Sequence, residues 1–239
     1  MTSARHSTRI VCISDTHSKY DFDLPDGDIL VHAGDFSKRG STRELTDFLD
    51  KLKQLKKFRL KIFIAGNHDV LLQRDYYEQH WNRFHDPKED SDAIINQFKD
   101  ESLKNDYGII YLEDQEFIDP ISQLKFYGSP WQPEFCQWAF NLPRDSDEIR
   151  AVWDQIPTDT DILITHGPPY GILDSTMRKQ HVGCKALHER IQIIRPKLHV
   201  FGHIHESYGK KVDSSTTFVN ASTCNFRYDP IQKPIIIDI

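Results

Sequence analysis

Nine short apolar runs, most of them rich in β-branched residues, recur along the whole chain and constrain its fold more than any other feature. Their apolar character is continuous rather than alternating, which is typical of strands buried on both faces. Helix-like segments lie between several of them, and this alternation predicts an α/β architecture. The runs are RIVCIS (9–14), DILVHA (28–33), LKIFIA (60–65), GIIYL (108–112), LKFYG (124–128), DILIT (161–165), KLHVFG (197–202), TTFVNA (216–221) and PIIIDI (234–239).

Two segments between these runs carry helix signals. STRELTDFLDKLKQL has Ser41 as a predicted N-cap, Glu44 three residues later and leucines at helical spacing. CKALHERIQIIRP is closed by Pro196. The stretch 75–106 is charged and rich in Tyr, His and Asp, so we expect one helix plus loops on a solvated surface there. No repeat, linker or shift in composition divides the chain, and we predict a single domain over residues 1–239.

Composition excludes several classes of protein. Hydrophobic residues make up 38% and charged residues 28% of the 239 positions, which suits a soluble globular enzyme. No run approaches the length of a membrane span, and MTSARHSTR lacks the apolar region of a secretory signal. Four scattered cysteines predict reduced thiols and a cytoplasmic location. The net charge of −6 argues against stable binding of nucleic acid but leaves room for a local phosphate site. The oligomeric state stays open.

Polar residues follow five of the apolar runs, nearly always beside a glycine. The carboxyl ends of strands in an α/β sheet converge on one crevice, so these residues are predicted to meet in space. Glycine lets the backbone turn sharply, and a turn at Gly202 would aim the two histidines after it at one centre. The residues at these strand ends are Asp15, His17, Asp35, Asn67, His68, Asp69, His166, His203 and His205.

Seven of these residues have the chemistry of metal ligands. They are too many for one tetrahedral ion and suit two divalent metals in five- or six-coordinate shells of nitrogen and oxygen. Such ligands admit Mn, Fe, Zn or a mixed pair. The predicted ligands are Asp15, His17, Asp35, Asn67, His166, His203 and His205.

The series DTH, GD, GNHD, TH and GHIH resembles the calcineurin-like metallophosphoesterase superfamily, from Asp15 to His205 at least. VHAGDFSKRG, HGPPYGILD and PKLHVFGHIHE further resemble the subgroup of brain-type metallophosphoesterase-domain proteins and class III cyclic nucleotide phosphodiesterases. The resemblance implies a sandwich of two mixed β-sheets flanked by helices, with the order α/β/β/α.

The resemblance also implies how the ligands are shared between two metals. Asp15, His17 and His205 would hold one metal, Asn67, His166 and His203 the other, and Asp35 would bridge both. Some animal relatives have Gly where this chain has His203, which weakens their second site. The histidine is present here, so both sites are expected to bind metal, with manganese favoured.

The function expected from these residues is a dinuclear metal-dependent phosphodiesterase. Two divalent ions attract a phosphate group and lower the pKa of a shared water, so a metal-bound hydroxide would attack phosphorus. The expected partner is a small phosphodiester such as a cyclic nucleotide, with no membrane partner. The alternatives are a phosphomonoesterase or protein Ser/Thr phosphatase and, from another class, a non-catalytic scaffold with the same fold.

His68 and Asp69 within GNHD are the predicted catalytic residues. His68 would donate a proton to the leaving oxygen or hydrogen-bond a phosphate oxygen, and Asp69 would orient its ring. His32 is expected to be a packed strand residue, and Arg39 an exposed arginine that could touch substrate. The aromatic loop 129–144 is expected to pack on the core, with stacking of a base as the alternative.

Overall fold

The computed structural model describes residues 7–213 and 215–239. Thirteen strands and six α-helices lie within these residues. The strands are β1 (Arg9–Ile13), β2 (Ile29–His32), β3 (Leu60–Phe63), β4 (Ile109–Tyr111), β5 (Gln115–Ile118), β6 (Lys125–Ser129), β7 (Gln132–Pro133), β8 (Asn141–Leu142), β9 (Ile162–Thr165), β10 (Leu198–Phe201), β11 (Gly209–Asp213), β12 (Thr216–Asn220) and β13 (Ile235–Asp238). The helices are α1 (Thr42–Gln54), α2 (Arg74–Phe84), α3 (Ser91–Phe98), α4 (Glu101–Tyr107), α5 (Asp147–Asp154) and α6 (Lys185–Ile194).

The strands form two main sheets of mixed direction and one short pair. The first sheet has the order β13-β1-β2-β3-β4, in which β1 to β4 are parallel and β13 is antiparallel. The second has the order β11-β12-β10-β9-β6-β5, with a parallel centre and an antiparallel strand at each edge. All nine apolar runs contain a strand of these sheets. β5 and β11, which the sequence did not predict, are largely exposed edge strands and lack the continuous apolar signal.

Alternate residues of each strand enter different layers of the core. Ile10 and Cys12 of β1 lie in the apolar cluster between the two sheets, whereas Val11 and Ile13 face the cluster under α1 to α4. On the other side, Leu163 of β9 packs with α5 and α6 in a third cluster. The order of layers is therefore α/β/β/α, and the expected sandwich is confirmed.

The two helices with clear sequence signals form as predicted. Ser41 caps α1 in a full capping box with Glu44. α6 ends at Ile194, and Arg195 adopts a left-handed conformation (φ 52°) directly before Pro196.

The expectation for residues 75–106 was wrong in part. This stretch contains all of α3 and all but one residue each of α2 and α4, so it has three helices where one was expected. The helices cover the first sheet with one face and expose the other, so the stretch is a surface as expected. Tyr77, Phe84, Ile94, Phe98 and Leu103 are buried beneath them. The helical spacing of these few apolar residues is obscured by the charged residues around them.

Within the described residues, no helix is both long and apolar enough to cross a membrane. All four cysteines are free, as expected from their spacing. Residues 1–6, where we expected no secretory signal, lie outside the described part of the chain.

Candidate metal centre

The carboxyl ends of five strands meet where the two sheets face each other. β1, β2 and β3 contribute from the first sheet, and β9 and β10 contribute from the second. All seven predicted ligands come together there. Six of them form two triads of ligand atoms, and Asn67 lies beside one triad. A third cluster combines His17 and Asp35 with His68.

The first triad is Asp15, His17 and His205, whose ligand atoms lie within 4.8 Å of one another. The Nε2 atoms of the two histidines are 3.4 Å apart, and Nε2 of His205 lies 3.2 Å from Oδ1 of Asp15. His17 and His205 are 188 residues apart in sequence, so the fold alone brings them together.

Backbone carbonyls determine the tautomers of these histidines. Nδ1 of His17 lies 3.1 Å from the carbonyl oxygen of Ser37, and Nδ1 of His205 lies 3.0 Å from that of Asn225. A carbonyl only accepts, so each Nδ1 carries the hydrogen and each neutral ring turns an Nε2 lone pair inward. Two lone pairs and a carboxylate oxygen then face one another. This electron-rich centre fits a cation, and the carbonyls are the outer partners that metal-bound histidines usually have.

The second triad is Asp35, His166 and His203. Nδ1 of His166 donates to the Ala33 carbonyl at 2.9 Å, and its Nε2 faces Oδ1 of Asn67 at 3.1 Å and Oδ2 of Asp35 at 3.3 Å. Nitrogen and oxygen ligand atoms converge on one point, and ligands of this kind suit a divalent metal.

Asp35 belongs to the second triad and also faces the first. Its Oδ2 is 3.3 Å from Nε2 of His166 and 3.9 Å from Nε2 of His17. Its Oδ1 accepts the backbone N–H of His68 at 2.8 Å. The carboxylate is therefore fixed in a position from which it can contact ions in both triads.

Four of the candidate ligands have left-handed backbone conformations, which are uncommon for residues other than glycine. Their φ angles are 50° at Asp15, 45° at His17, 57° at Asp35 and 66° at His203. Such strain persists only where the surrounding structure enforces it and is concentrated at functional sites.

The expected turn at Gly202 is made one residue later, at His203. Gly202 is needed for space instead: a Cβ there would lie 2.0 Å from Oδ2 of Asp15.

Burial and charge shift the pKa values of the site in opposite directions. Burial alone lowers the pKa of His166, but Asp35 beside it raises the net value to about 9. Burial lowers the pKa of His17 to about 4 and that of His203 to about 3. For Asp35, burial would raise the pKa, yet His166 and His68 hold it well below its usual range. The carboxylate thus stays ionised and is available to a cation.

His68 reaches the edge of this centre, with its Nε2 4.0 Å from Oδ2 of Asp35. Its Nδ1 donates to the carbonyl of Lys38 at 2.7 Å, and the Trp138 ring stacks on it with centroids 4.1 Å apart. The hydrogen at Nδ1 is therefore directed at Lys38, and Nε2 is the atom that faces the candidate ligands.

Asp69 does not orient His68, contrary to expectation. Its carboxylate accepts the backbone N–H groups of Asp35 at 3.0 Å, Gly66 at 2.8 Å and Ser37 at 3.0 Å, and the Ser37 hydroxyl at 2.6 Å. It is buried below the surface of the site and holds the turn that carries Asp35. Burial and the nearby charge of Asp35 raise its pKa to about 8.

The sequence reasoning missed several residues that hold the ligands. The Ser222 hydroxyl donates to Oδ2 of Asp15 at 2.9 Å, beside the N–H of His203 at 3.0 Å. Ser222 follows β12, so the strand-end argument could have found it. The carbonyls of Asn225 and Lys38 have no side-chain signature and could not be found in this way. His32 is a packed residue of β2, as expected, with its Nε2 3.0 Å from the Thr16 hydroxyl.

Most of the aromatic loop packs on the core, as expected. Trp131, Trp138 and Phe140 pack against the cluster under α1 to α4. Phe135 is instead 56% exposed, and its ring lies 5.5 Å from that of His203 between centroids.

Sequence comparisons identify the relatives of this chain. A family model described as calcineurin-like phosphoesterase matches residues 8–207. Metallophosphoesterase domain-containing protein 1 of Homo sapiens is 42% identical over 243 residues, which cover 97% of this chain and 71% of that protein. A UPF0046 protein of Caenorhabditis elegans is 37% identical over 246 residues, covering 97% of this chain and 60% of that protein.

One crystal structure, 15% identical in sequence, superposes with a TM-score of 0.60 over 97% of this chain and 99% of its own length. That likeness shows the fold alone, whereas the family model and the relatives show descent. The chain belongs to the calcineurin-like phosphoesterase family of metal-dependent phosphoester hydrolases, in the group that contains metallophosphoesterase domain-containing protein 1.

Proposed function

We propose that this protein hydrolyses small phosphodiesters, such as cyclic nucleotides, at a centre of two divalent metal ions, with Mn²⁺ favoured. The observation that carries the proposal is the position of Asp35, which belongs to one triad of ligand atoms and also faces the other. When bound, two such ions neutralise phosphate oxygens and activate water. A cytoplasmic location remains part of this proposal.

Two adjacent clefts, which share His68 and Tyr228 in their walls, lie at the centre, and this supports a diester over a monoester. One, of about 470 Å³, is lined by His17 and His68 among others. The other, of about 220 Å³, is lined by four of the candidate ligands, including Asp35 and His203. A phosphodiester has two ester arms, so each arm can lie in its own cleft, whereas a monoester has one arm to place.

Of the chain's own residues, His68 is the one suited to move a proton. In hydrolysis, the water oxygen bonds to phosphorus, the bond from phosphorus to the leaving oxygen breaks, and that oxygen takes up a proton. His68 Nε2 faces the centre while Lys38 and Trp138 fix the ring, so a protonated His68 can deliver this proton. Asp69 acts through the backbone, by holding the turn that carries Asp35.

The proposal is tested by metal analysis and turnover together. Purified protein should bind two divalent ions per chain and hydrolyse bis(p-nitrophenyl) phosphate faster than p-nitrophenyl phosphate. The reverse preference would indicate a phosphomonoesterase, and tight metal binding without turnover of either ester would indicate a scaffold.

Asp35→Ala should abolish hydrolysis and lower the metal content of both sites, because one carboxylate serves both triads. Two ions retained with ordinary turnover in this variant would show that the bridging ligand is elsewhere.

A further inference from the structure

The larger of the two clefts has a charged lining that is cationic apart from the site histidines. Within residues 7–213 and 215–239, no carboxylate lines it. We call it the cationic cleft, and its charged side chains are Lys19, Lys38, Arg39 and Arg83. The protein as a whole has a net charge of −6, so this cluster is a local reversal of sign next to the candidate metal centre. Clefts lined by one sign of charge concentrate ligands of the opposite sign.

The loop that carries Lys38 and Arg39 is fixed through its backbone. Oε1 of Glu44 accepts the N–H of Lys38 at 3.0 Å, and Oε2 accepts the N–H of Arg39 at 3.2 Å. The same carboxylate accepts the Ser18 hydroxyl and closes the capping box of α1. The carboxylate of Glu44 in α1 is therefore occupied by these groups, and Lys38 and Arg39 line the cleft on a preorganised support.

The other two cations tie the walls of the cleft together. Nζ of Lys19 donates to the carbonyl of Tyr228, and the guanidinium of Arg83 donates to the carbonyls of Cys136 and Gln137. Lys38 and Arg39 are thus the two cations most available to an incoming anion.

Lys38 also links the cleft to the reacting atoms. Its carbonyl accepts Nδ1 of His68 at 2.7 Å, while its side chain lines the cleft. An anion held by Lys38 and Arg39 therefore lies on the same side of the centre as the group that protonates the leaving oxygen.

The smaller cleft has a different chemistry. Aromatic rings line both clefts: Phe135, Phe226 and Tyr228 the smaller one, and Phe84, Trp138 and Tyr228 the cationic cleft. The difference is in charge, because among the described residues Glu206 and no lysine or arginine lines the smaller cleft. A cleft without a cation suits an uncharged arm, so the two clefts would receive unlike ester arms.

We propose that the phosphodiester hydrolysed at this centre carries a second anionic group on its leaving arm, held by Lys38 and Arg39 in the cationic cleft. This inference rests on the proposed function and narrows its substrate class to diesters with one charged and one uncharged arm. The second anionic group is a phosphate or a carboxylate.

Three deoxydinucleotides test the proposal: d(ApA) and its two terminally phosphorylated forms, d(pApA) and d(ApAp). The central diester is the same in all three, and only the place of the extra phosphate differs. We expect kcat/KM to be about 10-fold higher for one phosphorylated form than for d(ApA), as two partly exposed ion pairs allow. This preference should weaken with added salt.

The products show which arm carries the phosphate. If the extra phosphate is on the leaving arm, cleavage yields two molecules of the same mononucleotide. A nucleoside plus a nucleoside bisphosphate as the main products of the preferred substrate would place the phosphate on the other arm and overturn the proposal.

The variants Lys38→Gln and Arg39→Gln test whether the cationic cleft causes the preference for a phosphorylated dinucleotide. Each should reduce the ratio of kcat/KM between the phosphorylated substrate and d(ApA), and together they should bring it close to one. Arg43→Gln is the matched control, because it removes the same charge from α1 at a side chain that is 91% exposed and outside the cleft. Its ratio should equal that of the parent. A parent without preference, or a preference that survives in the double variant, would overturn the proposal.

Binding separates this inference from the proposed function. If the parent hydrolyses no diester, including bis(p-nitrophenyl) phosphate, the proposed function fails. The affinities for adenosine 3′,5′-bisphosphate and adenosine 5′-monophosphate, measured by calorimetry, then decide the inference. Tighter binding of the bisphosphate that is lost in the double variant supports the cationic cleft, and equal binding overturns it.

Discussion

Gly202→Ala should inactivate the site by sterics alone. A Cβ at this position would lie 2.0 Å from Oδ2 of Asp15 and 2.2 Å from the Ser14 hydroxyl oxygen. Real Cβ contacts stay above 3.0 Å, so the Asp15 carboxylate or the strand end must move by about 1 Å. Asp15 Oδ2 also accepts the Ser222 hydroxyl at 2.9 Å and the N–H of His203 at 3.0 Å, which leaves it little freedom to rotate away.

A displacement of about 1 Å in a catalytic constellation costs on the order of 10²-fold in rate. Overpacking should also lower the free energy of unfolding by about 1–3 kcal/mol. This is less than the usual stability of a native protein, so we expect the variant to stay folded. We would measure kcat on bis(p-nitrophenyl) phosphate at saturating Mn²⁺, together with metal content and urea unfolding.

Gly167→Ala is the matched control for Gly202→Ala. This glycine also follows a strand and directly follows the candidate ligand His166, but its Cβ would meet only the Gln132 side chain, at 3.1 Å. The control should keep most of its activity. A Gly202→Ala protein with parental kcat and metal content would refute the steric argument and the placement of Asp15 as a ligand.

Three further predictions follow from the structure. His68→Ala should slow cyclic nucleotide hydrolysis by about 10²–10⁴-fold but bis(p-nitrophenyl) phosphate hydrolysis much less, since nitrophenolate leaves without protonation; equal losses would contradict the acid role. His203→Gly should give a folded protein of much lower activity that excess Mn²⁺ partly restores, and parental activity at limiting metal would show that His203 is not a ligand. Burial lowers the pKa of His199 from 6.5 to about 3, so the unfolded chain binds a proton that the folded protein excludes. The stability contributed by neutral His199 is fully present above about pH 6.5 and is lost as the pH falls. At about pH 5 the free energy of unfolding should be lower by about 2 kcal/mol for this reason. We would measure the free energy of unfolding in urea at about pH 7.5 and pH 5. His199→Gln should reduce the difference between the two values by about 2 kcal/mol, and an unchanged difference would contradict this role of His199.

The amino-acid sequence determined nine strands of the two main sheets, two helices and the identity of the candidate ligands. Buried strands and a capped helix are local signals, since a continuous apolar run or a capping box is complete within a few residues. Asp15, Asp35 and His166 could be predicted as neighbours because the ends of strands in an α/β sheet converge. The helices α2 to α4 could not be predicted in the same way, because their few buried residues are scattered among charged residues.

Only the tertiary structure decided what holds and orients the ligands. His205 is aligned by the carbonyl of Asn225, and His68 by that of Lys38 rather than by Asp69. Every residue has a backbone carbonyl, so the sequence carries no mark of which one will be used. The cationic cleft likewise combines Lys38 with Arg83, which lie far apart in the chain and meet only when α2 packs on the first sheet. Residue types fix which chemistry is available, whereas contacts between distant residues fix where it acts.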